Sequence, residues 1–189
     1  EYRWVSRGGL KLDHALSNFS IDVTGTTCLD IGASTGGFTD VLVTRGASKV
    51  YAVDVGYAQL DWKLRQDERV IVLERTNARH LTFCHVPEPI YCLCCDVSFI
   101  GLKVVLPASM ELVSEGGYLI ALIKPQFEVG RGQVGKRGVV SDPNLHKSVC
   151  DEISDWLSCY PGWSVLGITD SPITGAQGNK EFFIAACKS

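Results

Sequence analysis

Cys28-Leu-Asp-Ile-Gly-Ala-Ser-Thr-Gly-Gly-Phe-Thr39 decides how the rest of this chain is read. An apolar run, Thr26–Ile31, leads into a glycine-rich turn, and a helical pattern, Phe38–Thr44, leaves it. Strand, glycine turn and helix in that order form a ligand cradle, because Gly32, Gly36 and Gly37 let a ligand approach the backbone at a helix start. The next apolar run, Lys49–Val53, is followed by Asp54, placed to accept hydrogen bonds from both hydroxyls of a ribose.

Working outward, further apolar runs at Val70–Glu74, Ile90–Cys95 and Gly117–Ile123 read as strands covered on both faces, as in a parallel sheet. Helical patterns lie between and around them at Gly9–Asn18, Gln59–Arg65 and Leu102–Val113, the last shortened or kinked by Pro107. A helix opens at Ser141-Asp142-Pro143, and Trp163–Ile168 and Glu181–Cys187 are two final strands that can pair as an antiparallel hairpin. Alternating strands and helices predict an α/β fold with a doubly wound sheet, mostly parallel, on which the last two strands can add an antiparallel hairpin.

The 189 residues suit one domain, 1–189. A composition of 46% hydrophobic and 21% charged residues excludes a disordered or low-complexity chain. No apolar run approaches the roughly 18 residues of a membrane span, and no signal peptide opens the sequence. The eight cysteines include no CxxC pair and no zinc spacing, so they read as buried small hydrophobes of a cytoplasmic protein, and no metal site is expected. The chain starts at Glu1 and its one methionine is Met110, which suggests a piece trimmed at its N-terminus.

Two ligand classes use the cradle. A nicotinamide dinucleotide wants a glycine where this chain has Ser34, so that fingerprint fails. S-adenosylmethionine (SAM) has no pyrophosphate to seat, and Asp30 at the end of the first strand suits its cationic amino-acid end. SAM is therefore the favoured ligand over a dinucleotide or a purely structural turn. Asp30, Gly32, Ser34, Thr35, Gly36, Gly37, Phe38 and Asp54 are its candidate contacts, with Asn77 and Ala78 on the adenine side.

Four charged residues sit at element ends: Lys11 in the first helix, Asp96 after the fourth strand, Lys124 after the fifth and Glu181 at the start of the last. In a doubly wound sheet the carboxyl ends of the strands form the ligand edge, and an antiparallel last strand brings Glu181 there. Lysines held by carboxylates can activate a weak nucleophile such as a ribose hydroxyl; independent surface lysines are the competing reading. An N-methyltransferase would favour a polar-aromatic Asn/Asp-Pro-Pro-Tyr segment where this chain has Asp96-Val-Ser-Phe99.

The net charge of −3 does not suggest a polyanion partner, but charge is uneven. Lys124 to Gly138 carries four basic residues against one acid and four glycines, a mobile basic loop or simply a solvated one. Arg131, Lys136 and Arg137 of this loop, with Arg3, Arg7, Arg75 and Arg79, are candidate RNA contacts. Phe99 and Phe127 could stack a base, but core packing is the favoured reading.

Five motifs together carry a resemblance: Ser6-Arg-Gly-Gly-Leu-Lys-Leu12, Leu29–Phe38, Asp96-Val-Ser-Phe-Ile100, Lys124-Pro-Gln-Phe-Glu128 and Gly178-Asn-Lys-Glu181. The chain resembles, over essentially its whole length, the TlyA/hemolysin-A family of FtsJ-like ribosomal RNA ribose 2′-O-methyltransferases. The resemblance implies a Rossmann-like, doubly wound seven-stranded SAM-methyltransferase sheet with an antiparallel last strand, and a Lys11-Asp96-Lys124-Glu181 tetrad with Lys124 as base or hydroxyl-orienting group. It implies cytidines of ribosomal RNA in the ribosomal subunits as substrate, and a small N-terminal RNA-binding domain absent from this chain. The hemolysin label has no support in the sequence, which lacks a span and a clear amphipathic stretch with a basic polar face. A non-catalytic RNA-binding or assembly module with the same fold is the remaining alternative.

Overall fold

The computed structural model describes residues 3–189, so the first two residues of the expected domain lie outside the described part. The strands are β1 Thr27–Ile31, β2 Lys49–Val53, β3 Val70–Leu73, β4 Ile90–Cys95, β5 Val113–Ile123, β6 Trp163–Asp170 and β7 Phe182–Lys188. They form one sheet in the order β3-β2-β1-β4-β5-β7-β6. β1 to β5 pair in parallel, whereas β7 inserts antiparallel between β5 and β6.

The helices are α1 Gly8–Asn18, α2 Gly37–Thr44, α3 Trp62–Arg65, α4 Leu102–Met110 and α5 Pro143–Ser158. Alternate residues of each strand point to opposite faces, and the core divides accordingly. Leu93, Cys95, Leu119, Ala121 and Ile184 pack on the face covered by α4 and α5. Cys92, Cys94, Ile120, Leu122 and Phe183 pack on the face covered by α1 and α2. Cys28, Cys92, Cys94, Cys95 and Cys150 are buried, and all eight thiols are unbridged among the described residues.

Several boundaries differ from those read in the sequence. The helix expected over Gln59–Arg65 is only the single turn α3, because Asp61 accepts a hydrogen bond from the Lys63 amide (2.9 Å) and starts the helix there. β5 begins at Val113 rather than Gly117, with a register irregularity opposite Ile90 and Cys92 and a left-handed Gly116 (φ +79°). α4 stops at Met110 and holds Pro107 inside it.

The antiparallel pairing of β5 with β7 sets the place of two charged residues. Ile123 pairs with Phe182, which puts the residues just beyond, Lys124 and Glu181, at the same edge of the sheet. The ends of β1, β2 and β4 meet at that edge too, since Ile31 pairs with both Val53 and Cys95.

Candidate functional site

Two adjoining clefts open at the carboxyl edge of the sheet. The larger, about 560 Å³, is walled by Asp54, Gly56, Asn77, Ala78 and the segment Asp96–Ile100. The smaller, about 400 Å³, is walled by Arg7, Lys11, the loop Gly32–Thr35, Gly37, Phe38 and the loop 174–176. Gly32, Ser34 and Asp96 line both, so the clefts meet at the glycine turn. Gly32 has φ +79°, and a Cβ on it would strike the Asp96 carbonyl oxygen. Only glycine lets the turn close against the end of β4 in this way.

Asp54 is held ready by the turn. Its carboxylate accepts the Ser34 amide and the Gly56 amide, each at 2.7 Å. Each carboxylate oxygen keeps lone pairs for further donors, so two adjacent hydroxyls can bond there. Ser34 itself lies at φ +51°, a strained conformation for a non-glycine residue.

The four charges resolve into two ion pairs. Lys11 Nζ contacts Glu181 Oε1 at 2.6 Å, with both side chains largely buried. Lys124 Nζ contacts Asp96 Oδ1 at 2.5 Å and also donates to Ser98 Oγ at 3.1 Å. Lys11 and Asp96 line the smaller cleft, each held by its ion-pair partner, Glu181 and Lys124 respectively.

Two expected cofactor contacts do not reach a cleft wall. Asp30 is fully buried beneath the turn, where Thr39 Oγ1 of α2 donates to its Oδ2 at 2.7 Å. Its other oxygen finds no partner among the described residues, and burial pushes the carboxyl up to about 7. β1 is covered on both faces, and Asp30 points toward α2 rather than toward the edge. Gly36 (φ +107°) also turns inward, since a Cβ there would strike Leu64 and crowd Leu60.

The basic candidates divide similarly. Arg7 lines the smaller cleft and donates to the Thr174 carbonyl at 3.2 Å. Arg79 is exposed beyond Asn77, and Arg75 stacks on exposed Tyr57 at 4.2 Å. Arg3 lies over the Trp4 ring. Arg131, Lys136 and Arg137 are exposed on the long loop after β5. Phe99 is 89% exposed rather than in the core, at φ +67° on the rim of the larger cleft, with Phe127 tilted against it.

Sequence reasoning missed Asn179 and Gly175. Asn179 is buried; its Oδ1 accepts the Val140 amide, and its Nδ2 donates to the Gly138 and Ala176 carbonyls. It thereby fastens the basic loop to the loop on the smaller cleft. Gly175 lies against Glu181, whose carboxylate a Cβ there would strike. The only signal for either is proximity to Glu181 in the last motif. Among the described residues, no helix is long and apolar enough to cross a membrane, and no group of three His, Cys, Asp or Glu side chains could hold a metal.

The chain is similar to proteins already known. The family of FtsJ-like methyltransferases matches residues 4–188. A relative from Mycobacterium tuberculosis, the 16S/23S rRNA (cytidine-2'-O)-methyltransferase TlyA, is 50% identical over 184 residues, 97% of this chain and 68% of that protein. A provisionally named rRNA methyltransferase of Bacillus subtilis is also 50% identical over 184 residues, 96% of this chain and 65% of that protein. A solved structure provisionally named a hemolysin, from Streptococcus thermophilus, is 46% identical with a TM-score of 0.95, covering 100% of this chain and 68% of that one. The chain thus spans about two-thirds of the length of these relatives.

Proposed function

The chain belongs to the FtsJ-like methyltransferase family, and from that membership we propose that it is a SAM-dependent methyltransferase domain acting on ribose 2′-hydroxyls, of cytidine in ribosomal RNA. The observation that carries the reading is the meeting of the two clefts at Asp96, with Lys124 bonded to it and the Lys11–Glu181 pair beside it. The domain comprises 1–189 and works in the cytoplasm on ribosomal subunits.

The residues present fit SAM. Asp54 has free acceptor positions for the ribose hydroxyls, and Asn77 and Ala78 flank the adenine end of the larger cleft. Gly32, Ser34, Thr35, Gly37 and Phe38 receive the amino-acid end. Asp30 and Gly36 act from beneath, by fixing α2 and the turn. When bound, SAM supplies a methyl group on a sulfonium, an electrophile with a good leaving group.

What remains for the protein is placement of the attacking oxygen. An ammonium has three N–H donors, and Lys124 spends two, on Asp96 and Ser98. The third is left to hold and polarise the substrate hydroxyl; Lys124 acts as base only after it has itself lost a proton. Lys11, pinned by Glu181, places a second donor on the other side. Arg3, Arg7, Arg79 and the loop residues Arg131, Lys136 and Arg137 supply the phosphate contacts that position RNA.

The test combines calorimetry with SAM and transfer of labelled methyl to ribosomal subunits by the full-length protein. Lys124→Ala is expected to abolish transfer while SAM binding persists, and normal turnover would sink the assignment. RNA binding without SAM binding would favour a non-catalytic module instead, and leakage of liposomes by purified protein would revive the lytic reading.

A further inference from the structure

The segments that carry Asp96 and Lys124 are tied together by contacts behind the ion pair. α4 begins at Leu102, and its N-cap, Gly101, has no side chain to satisfy the first amides of the helix. The Leu102 amide instead donates to Glu128 Oε1 at 2.9 Å. Glu128 comes from the short turn that follows Lys124, so the cap arrives from the other catalytic segment. Phe127 packs on Phe99 with ring centroids 4.9 Å apart.

Three features set Glu128 apart from a solubilising surface acid. It is only partly exposed, and burial outweighs its hydrogen bond and pushes the carboxyl up to about 7. Its second oxygen lies where a Cβ at Gly101 would sit only 3.3 Å away, so the approach suits glycine. And the loop it restrains holds Phe99 in the left-handed region, a conformation that persists only where the surroundings enforce it.

We propose that Glu128 is a positioning residue for methyl transfer: by capping α4 from the segment that follows Lys124, it fixes where Asp96 stands relative to Lys124. The inference rests on the proposed roles of Asp96 and Lys124. Gln has the same reach and the same acceptor oxygen without the charge, so it preserves the cap; Ala removes it.

The experiment compares wild type, Glu128→Ala and Glu128→Gln in the full-length protein, measuring kcat and KM on ribosomal subunits and amide hydrogen exchange. In Glu128→Ala, exchange over residues 96–102 speeds up about tenfold, as for a lost helix cap. Its kcat falls by about 10²-fold, as for a misplaced reacting group, with KM nearly unchanged. Glu128→Gln restores both. Wild-type kcat in Glu128→Ala, or a Gln variant as defective as the Ala variant, overturns the proposal. So does a rate loss accompanied by uniformly faster exchange across the sheet, which marks general destabilisation. If wild type methylates no ribosomal RNA, the functional reading fails and exchange alone decides: loosening of 96–102 by Ala but not by Gln upholds the cap, and no loosening overturns it.

Discussion

Replacing Asp30 with Asn should change how stability depends on pH, and the structure fixes the sign. Burial raises the Asp30 carboxyl from an ordinary 3.8 to about 7. Between those values the folded chain holds a proton that the unfolded chain has released, so stability falls as pH rises through that window. Integrated from near pH 5 to near pH 8, one such group removes about 2–3 kcal/mol. Asn does not titrate. Its amide places two N–H donors where the protonated carboxyl has at most one, beside an Oδ1 position that has no partner among the described residues, at an added cost of about 1–3 kcal/mol at every pH. Asp30→Asn is therefore expected to be less stable than wild type near pH 5 and to gain about 2–3 kcal/mol on it by pH 8. Urea unfolding at a series of pH values measures both proteins, and Glu128, which titrates in both, drops out of the difference. Parallel stability profiles, or a gap that widens toward high pH, would refute the reasoning.

Gly175→Ala is expected to fold but to lose about 10²-fold in kcat, because its Cβ displaces the carboxylate that pins Lys11; steady-state kinetics beside thermal melting checks this. Asn179→Ala should free the basic loop, so that trypsin cuts after Arg131, Lys136 and Arg137 about tenfold faster, as read by mass spectrometry. Joint substitution of those three basic residues by Ala should weaken RNA binding at every sequence and flatten the plot of log affinity against log salt by about 2. Asp96→Asn should weaken SAM, whose sulfur is cationic, about tenfold more than the neutral product S-adenosylhomocysteine; calorimetry with both ligands decides, and equal losses would count against it.

Much of this architecture is legible because its signals are local. The turn from Ile31 to Phe38 shows the strand, the glycines and the helix start together, and the unbroken apolar character of the runs gives the doubly covered sheet. The antiparallel end follows from two adjacent apolar runs with no helix between them, and with it the approach of Glu181 to Lys124. Other features escape for physical reasons. Asp30 sits on a strand buried on both faces, so no polarity alternation shows which way it points. Asn179 bonds to backbone groups 39 and 41 residues away, and any residue type presents such groups. Phe99 reads as a core aromatic until the left-handed backbone beneath it is seen.

On the proposed reading, the pairing of the four charges explains why this site would use carboxylates as much as lysines. A methyl donor on a sulfonium is a cation, and two unpaired ammonium groups at the cleft junction would repel it by a few kcal/mol each at an effective dielectric near 20. Glu181 and Asp96 cancel that charge at 2.6 and 2.5 Å, well inside the distance at which solvent or salt could do so. Neutralisation does not use up the lysines, because each ammonium keeps donors beyond its carboxylate. The site can therefore present hydrogen-bond donors to a hydroxyl without presenting net positive charge to the cofactor. On the proposed reading the positive charge that meets RNA is placed elsewhere, on the exposed loop bearing Arg131, Lys136 and Arg137, which Asn179 ties to the loop at Ala176 on the smaller cleft.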